Sequence, residues 1–564
     1  MPKDEKEKEL LDRISDLEAQ IKKLKDRKRY GLIWEEKIEK FETESKNALP
    51  ILREKNGKFP DIITDQKQDF NILIEGDNFH ALSVLAYTHQ NKVDVIYIDP
   101  PYNTGKKDFV YNDHFVDIED RFRHSKWLSF MAKRLRLAKQ ILSDNGVIYI
   151  SINDYEVSQL KILCDFMFNE ENFIAKLVWE NKEGGGSSDS LFFRIKHEYV
   201  LVYAKNKNKL TLEGEYKEED ESYGFQDQYV LERGHYKLIK LNSFSIQYSK
   251  SLDYEIEIPN GKKILPSENG KRGCWRWSKK KFEWGIENDF IEFKKNQDGN
   301  LWVYTKQYFK VDENNKPTVR KNPYRGVISK WSSTLATKQL EKIFNSKKFN
   351  YPKPYELLSF LLGLFPKKES IILDFFAGSG TTGHAVLDLN KKDGGKRKFI
   401  LCTNNENKIC EDITYERIKR VSLGYENSKG EKVAGLGGNL KYLKTDFVPL
   451  EKSADSLKQK IVEGSVEIIC LKENAFGLVC DNYQKSKIKI FQNPNKFVAI
   501  LFDLFYFEEF VLELKKLKEK PVSVYVFSYT KDFSKEEFGD LGINFSVEPI
   551  PEKILETYKK IFKF

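Results

Sequence analysis

In the run VDVIYIDPPYNTG, the largely apolar Val93–Ile98 leads straight into Asp99, Pro100, Pro101 and Tyr102. A strand ending this way places Asp99 at its carboxyl end, where an α/β sheet exposes its functional groups. Proline has no N–H and fixes φ near about −65°. Pro100 and Pro101 therefore make a stiff turn that presents a bare carbonyl beside the carboxylate. Two adjacent acceptors suit a planar amino group with two hydrogens to donate, and Tyr102 can stack on the ring that carries it. Such an amine is a poor nucleophile, because its lone pair is delocalised into the ring. Acceptors aimed at both hydrogens favour rehybridisation and stabilise the charge that develops as it attacks a methyl sulfonium. Taken alone, Asp-Pro-Pro after a strand is equally compatible with a structural turn.

The second informative stretch is ILDFFAGSGTTGHAVL, residues 372–387. An apolar strand ends in Asp374, a tight turn carries Gly378 and Gly380, and a helix begins near Thr381. Glycines let the backbone approach a ligand closely at the carboxyl edge of a parallel sheet. Gly383, on the helix, stands at the place of the third glycine of the dinucleotide fingerprint. The P-loop Gly-Lys-Ser/Thr is absent throughout the chain. The following strand runs into CTNNEN, where Glu406 offers an acceptor for a ribose hydroxyl. A nucleoside without a pyrophosphate fits this arrangement, S-adenosylmethionine first among the candidates. A structural turn or another nucleotide remains the alternative.

These motifs need elements to hold them. Strands are expected at 71–74, 93–98, 147–152, 371–373 and 399–402, with a helix after EGDN (Glu75–Asn78) and a long amphipathic helix at 125–142. Strand alternating with helix is the pattern of a parallel α/β sheet. EGGGSSDS (183–190) reads as a loop, and from about Lys205 to Lys347 alternation and dense charge suggest a mostly β insertion. Beyond Leu450, FVAILFDLF, a helix at 508–517 and VSVYVFS suggest a small α/β domain. Leu10, Ile14, Leu17, Ile21 and Leu24 form a short a/d seam, consistent with a coiled coil, a docking helix or a helix packed on its own domain.

The chain has 564 residues, 40% hydrophobic and 32% charged, which implies a multidomain globular protein. No apolar run reaches the about 18–20 residues of a membrane span. The N-terminus is charged and lacks an apolar signal core, which points to a cytoplasmic protein. Six scattered cysteines without a Cys-x-x-Cys pair support neither a disulfide framework nor a zinc site. The net charge of +9 is compatible with a polyanionic partner without demanding one.

At these motifs the chain resembles the amino-methylating DNA methyltransferases. The catalytic motif at Asp99 precedes the cofactor motif DFFAGSG, which is the permuted order of the β class. The likeness extends to the modification (Mod) subunit of type III restriction-modification systems through RKRYGLIWEEK, ILIEGDNFHALSVL, DRFRHSKWLSFMAKRL, GVIYISIND, KHEYVLVYAKN, GCWRWSK and YPKPYELL. It covers most of residues 28–420 and is looser over the last hundred or so.

The resemblance implies a Rossmann-like methyltransferase sheet with an inserted target recognition domain and a small C-terminal α/β domain. The expected segments are a helical 1–45, a catalytic half at 46–182, the recognition domain at 183–347, a cofactor half at 348–449 and a C-terminal domain at 450–564. Asp99, Pro100, Pro101 and Tyr102 are then the amine-binding and base-stacking residues. Asp374, Phe376, Gly378 and Gly380 line the S-adenosylmethionine pocket, with Glu406 on the ribose. Lys353 and Pro354 close over its methionine end, and Asp77 either touches the cofactor or caps the helix after it. No metal is required.

Double-stranded DNA is the implied partner, contacted by candidates Arg276, Lys279, Lys280, Arg320 and Arg325. The target base must be flipped out to reach Asp99. Adenine N6 is the expected acceptor, because Ser usually replaces Asp where cytosine N4 is methylated. A homodimer and a separate helicase-nuclease (Res) subunit are the implied protein partners, the heptads and the C-terminal domain being the expected contact regions. A solitary methyltransferase, or a DNA-binding specificity subunit with a decayed cofactor site, are the competing interpretations.

Overall fold

A computed structural model describes Trp34, Glu39 and residues 47–562, apart from 56, 58, 106–109, 112–113, 183–192, 269–270, 296–298, 300, 452 and 529–532. The heptad seam and the loop 183–190 lie outside the described residues. The principal sheet comprises β1 (Ala48–Glu54), β2 (Phe70–Glu75), β3 (Val93–Ile98), β4 (Leu142–Ile152), β5 (Phe173–Glu180), β6 (His197–Ala204), β7 (Val327–Ile328), β8 (Ile371–Asp374), β9 (Lys398–Thr403) and β10 (Asn439–Pro449). These pair in the order β1-β10-β2-β9-β8-β3-β4-β6-β5-β7. From β10 to β4 every neighbour is parallel. β6 runs against both β4 and β5, and β1 runs against β10.

Helices cover both faces, so the central strands read as nearly unbroken apolar runs; all six residues of β3 are buried. Ile96, Ile98, Ile148 and Ile150 meet α1 (Asn78–Thr88), α2 (Arg123–Ile141) and α3 (Val157–Phe168) in one core. Val95, Tyr97, Val147 and Leu401 face the other core, with α4 (Ser333–Phe344), α5 (Tyr355–Gly363) and α6 (Thr381–Asp393). Along α2, Trp127, Met131, Leu135 and Ala138 recur at the spacing of one helical face and are buried. The connection β3–α2–β4 extends the sheet one way and β8–α6–β9 the other. Strand order therefore reverses between the neighbours β3 and β8, where Ile372 lies opposite Val95 and Leu373 opposite Ile96. Ligands of open α/β sheets bind in the crevice at such a switch point.

Residues 213–325 form a compact unit of their own. Its three-stranded antiparallel sheet (236–240, 301–308, 291–295) and the helix Lys279–Glu287 enclose Trp275, Trp277, Phe290, Val303 and Tyr308. This unit is shorter at both ends than the 183–347 stretch. His197–Ala204 is a strand of the principal sheet, Val327–Ile328 pairs with β5, and α4 buries Leu340 and Ile343 in the second core. The C-terminal segment carries a five-stranded sheet (477–481, 488–492, 497–501, 522–527, 545–550). Ile468, Leu471, Ile554 and Leu555 join the core beneath α1, and Tyr558 donates a 2.6 Å hydrogen bond to the Pro50 carbonyl. Among the described residues no helix is long and apolar enough to cross a membrane.

Candidate active site

The carboxyl ends of β3 and β8 lie side by side, and each carries one of the two motifs. Asp99 follows β3. Its Oδ1 accepts a 2.9 Å hydrogen bond from the Tyr102 hydroxyl, and its Oδ2 lies 3.0 Å from Lys353 Nζ. Glu198, second residue of β6, completes the cluster: its Oε2 is 3.0 Å from the Tyr102 hydroxyl and 3.2 Å from Lys353 Nζ. Lys353 Nζ also donates to the Tyr102 hydroxyl at 2.7 Å and stands 5.0 Å from the centre of its ring. Burial works against the Lys353 ammonium, yet the Asp99 and Glu198 carboxylates outweigh it and raise its pKa above the usual lysine value. Burial, then the same two carboxylates, push the Tyr102 phenol well above its ordinary range. At neutral pH the cluster is therefore two acceptors around an ammonium and a neutral phenol.

The Asp-Pro-Pro turn is held from α2, where Trp127 Nε1 donates to the Pro101 carbonyl at 2.7 Å. That carbonyl is spoken for. The Pro100 carbonyl accepts no hydrogen bond from the described residues. The turn continues into Asn103, in the left-handed region at φ 56°, whose Nδ2 donates to the buried Glu156 at 2.5 Å. Burial raises the Glu156 carboxyl to about 8, and His124 Nδ1 shares its Oε1 at 2.7 Å.

At the end of β8 the glycine turn takes the conformation its residues allow. Gly378 and Gly380 have φ of 50° and 76°, and a Cβ on Gly380 would stand 3.2 Å from Thr414 Cγ2. The Asp374 carboxylate, 2% exposed, is engaged by its own chain: the Phe376 amide donates to Oδ1 at 2.9 Å and the Thr382 hydroxyl to Oδ2 at 2.5 Å. Burial lifts its pKa to about 7. Asp374 holds the turn from inside. Asn78 Nδ2 braces the turn at the Phe375 carbonyl, 3.0 Å away, and Arg134 Nε grips Asn78 Oδ1 at 2.5 Å. Asp77, at the end of β2, caps α1 through a 2.7 Å bond from the Phe79 amide. Glu406 is exposed just beyond β9. Pro354 precedes α5 as its N-cap.

A DNA methylase family model (N6_N4_Mtase) matches residues 93–431, spanning both motifs and everything between them. The chain belongs to the DNA methylase family. It is 34% identical to the Mod subunit of the type III restriction-modification enzyme EcoPI of Escherichia phage P1, over 64% of this chain and 61% of the relative. It is 32% identical to the StyLTI Mod subunit of Salmonella typhimurium strain LT2, over 64% of this chain and 57% of the relative. With the type II methyltransferase M.KpnI of Klebsiella pneumoniae it shares 34% identity over 64% of this chain and 89% of the relative. The chain thus matches about six tenths of the length of these two Mod subunits.

Within this DNA methylase fold, Lys353 joins the Asp99 cluster by reach across the switch point. Glu198 escaped sequence reasoning because functional edges were sought at strand ends. β6 is antiparallel, so its first residues occupy that edge; the polar pair His197-Glu198 opening an otherwise apolar strand is the available signal. Arg134 and Asn78 were hidden in helix and cap patterns. In the unit 213–325, Arg276, Lys279, Lys280 and Arg325 are exposed. Arg320 is not: its Nη2 donates to the Tyr308 and Val311 carbonyls at 2.8 and 2.7 Å, so it clasps backbone. Among the described residues no group of three or more His, Cys, Asp or Glu side chains is placed to hold a metal ion.

Proposed function

We propose that this chain transfers a methyl group from S-adenosylmethionine to N6 of an adenine flipped out of duplex DNA, as the modification and specificity subunit of a type III restriction-modification system. The observation that carries the proposal is the adjacency of β3 and β8, which sets a carboxylate-proline-tyrosine turn beside a glycine turn. The glycine turn fits a nucleoside cofactor: its backbone is open to close approach at positive φ, and Phe376, Asp77 and Glu406 are the further residues this reading assigns to the cofactor. When bound, the cofactor supplies an electrophilic methyl group. Asp99 and the Pro100 carbonyl accept the two hydrogens of the target amine, and the Tyr102 ring stacks on the base. Arg276, Lys279, Lys280 and Arg325 of the unit 213–325 contact the DNA. A homodimer, a Res partner and a cytoplasmic location belong to the same proposal.

A second reading, a methyltransferase that works without a restriction subunit, is favoured by the match to M.KpnI, which takes in most of that type II enzyme. The test is transfer of labelled methyl from S-adenosylmethionine to unmodified genomic DNA, beside Asp99→Ala, with digestion to nucleosides. Label in N6-methyladenine that disappears in the variant is expected. Label in N4-methylcytosine would overturn the base assignment, and absence of cofactor binding would turn the reading toward a specificity subunit.

A further inference from the structure

Both oxygens of Asp99 are in use, Oδ1 by the Tyr102 hydroxyl and Oδ2 by the Lys353 ammonium. A carboxylate oxygen can accept more than one hydrogen bond, yet an incoming amine competes with both partners for the same two oxygens. The Lys353 side chain is 10% exposed, so releasing it from Asp99 with no other anion in reach would leave a buried ammonium unpaired, a costly state. Glu198 is the other anion in reach, 3.2 Å from the same Nζ. It also offers the single proton of the Tyr102 hydroxyl a second acceptor at 3.0 Å.

Glu198 is itself anchored. Its Oε1 accepts from Asn181 Nδ2 at 2.7 Å, and the Asn181 carbonyl is tied to the Ser333 amide and hydroxyl at 2.8 and 2.7 Å. The carboxylate therefore stays in place while Lys353 and Tyr102 exchange partners. We propose that Glu198 is a positioning residue that takes the Lys353 ammonium and the Tyr102 hydroxyl hydrogen bond when Asp99 accepts the target amine. Glu198 does not touch the substrate; it clears Asp99 for it. This rests on the methyltransferase reading above.

The experiment measures single-turnover methyl transfer to DNA, with S-adenosylmethionine affinity by calorimetry, for the full-length wild type, E198Q and E198D. Failure of the wild type to transfer any label would sink the methyltransferase reading itself. With an active wild type, E198Q is expected to keep its cofactor affinity and lose about 100-fold in transfer rate, while E198D recovers most of the loss. A role confined to folding would instead make the shorter aspartate at least as damaging as the isosteric glutamine. E198Q transferring at the wild-type rate would overturn the proposal. Should E198Q not fold, K353M and E198Q/K353M carry the comparison. Without an ammonium to receive, Glu198 keeps only the Tyr102 hydroxyl bond, so a small further loss is expected, and a further loss of about 100-fold in the double variant would overturn it.

Discussion

Replacing Asp99 by alanine removes the acceptor proposed for the reacting amine and leaves the glycine turn after β8 untouched. Transfer should fall by at least about 100-fold at unchanged S-adenosylmethionine affinity, measured by single-turnover assay and calorimetry; parallel loss of both would place Asp99 in the cofactor site instead. A second residue-scale prediction concerns Glu156, which is fully buried and holds the Asn103 turn after Tyr102. Its folded pKa of about 8 lies above the 4.5 of a glutamate in water. The folded state keeps this proton after the unfolded state has lost it. The stabilisation is therefore complete below the unfolded value and is lost as pH rises toward about 8, at about 1.4 kcal/mol per pH unit at most. The melting temperature should drop between pH 6 and 8 and then level off, and Glu156→Gln should flatten that slope. A wild-type profile that rises over the same interval would contradict the assignment.

Elements decide which residues were visible beforehand. Asp99 and the glycine turn were legible because parallel strands announce their functional ends: an apolar run breaks into Asp-Pro-Pro at one and Gly-Ser-Gly at the other. Glu198 was not, because in an antiparallel strand the functional edge is the start, and periodicity carries no direction. The company of Lys353 was equally hidden, since four methylenes of reach across a switch point leave no trace in spacing. Asp374 stands at the strand end where the sequence puts it, but spacing does not reveal that its carboxylate is engaged by the Phe376 amide and the Thr382 hydroxyl. The two glycines around the start of α6 separate conformation from packing. Gly380→Ala forces a left-handed residue at a cost of about 1–2 kcal/mol in the turn proposed to meet the cofactor. Its affinity should fall about tenfold, read by titration calorimetry. Gly383→Ala meets Ile418 Cδ1 at 2.6 Å between α6 and the helix Glu416–Leu423. It should lower the melting temperature through overpacking while leaving affinity intact in the folded protein.

At the scale of the molecule, the changed texture after Lys205 announced an insertion but not its limits. Sequence alone cannot tell that β6 and β7 belong to the principal sheet and α4 to its second core, because periodicity does not say which strands pair and β7 finds its partner about 150 residues back. The structural limits, 213 and 325, bring a consequence. The insert begins and ends in strands that pair with each other, Glu215 opposite Asn322 and Tyr216 opposite Lys321. Its core of Trp275, Trp277, Phe290, Val303 and Tyr308 is its own. An insert closed at its neck with a private core should fold when expressed alone and leave its host able to fold without it. Residues 213–325 should therefore show cooperative thermal unfolding by circular dichroism. The remainder, joined from Leu212 to Gly326 by a short Gly-Ser linker, should bind S-adenosylmethionine yet methylate no specific site. If the exposed Arg276, Lys279, Lys280 and Arg325 meet phosphate, the isolated insert should bind duplex DNA with an affinity that falls linearly in log–log against salt. Replacing Lys279 and Lys280 by alanine should make that slope shallower by about two contacts. An insert that melts without cooperativity, or a remainder that loses the cofactor, would mean that the two units depend on each other for folding.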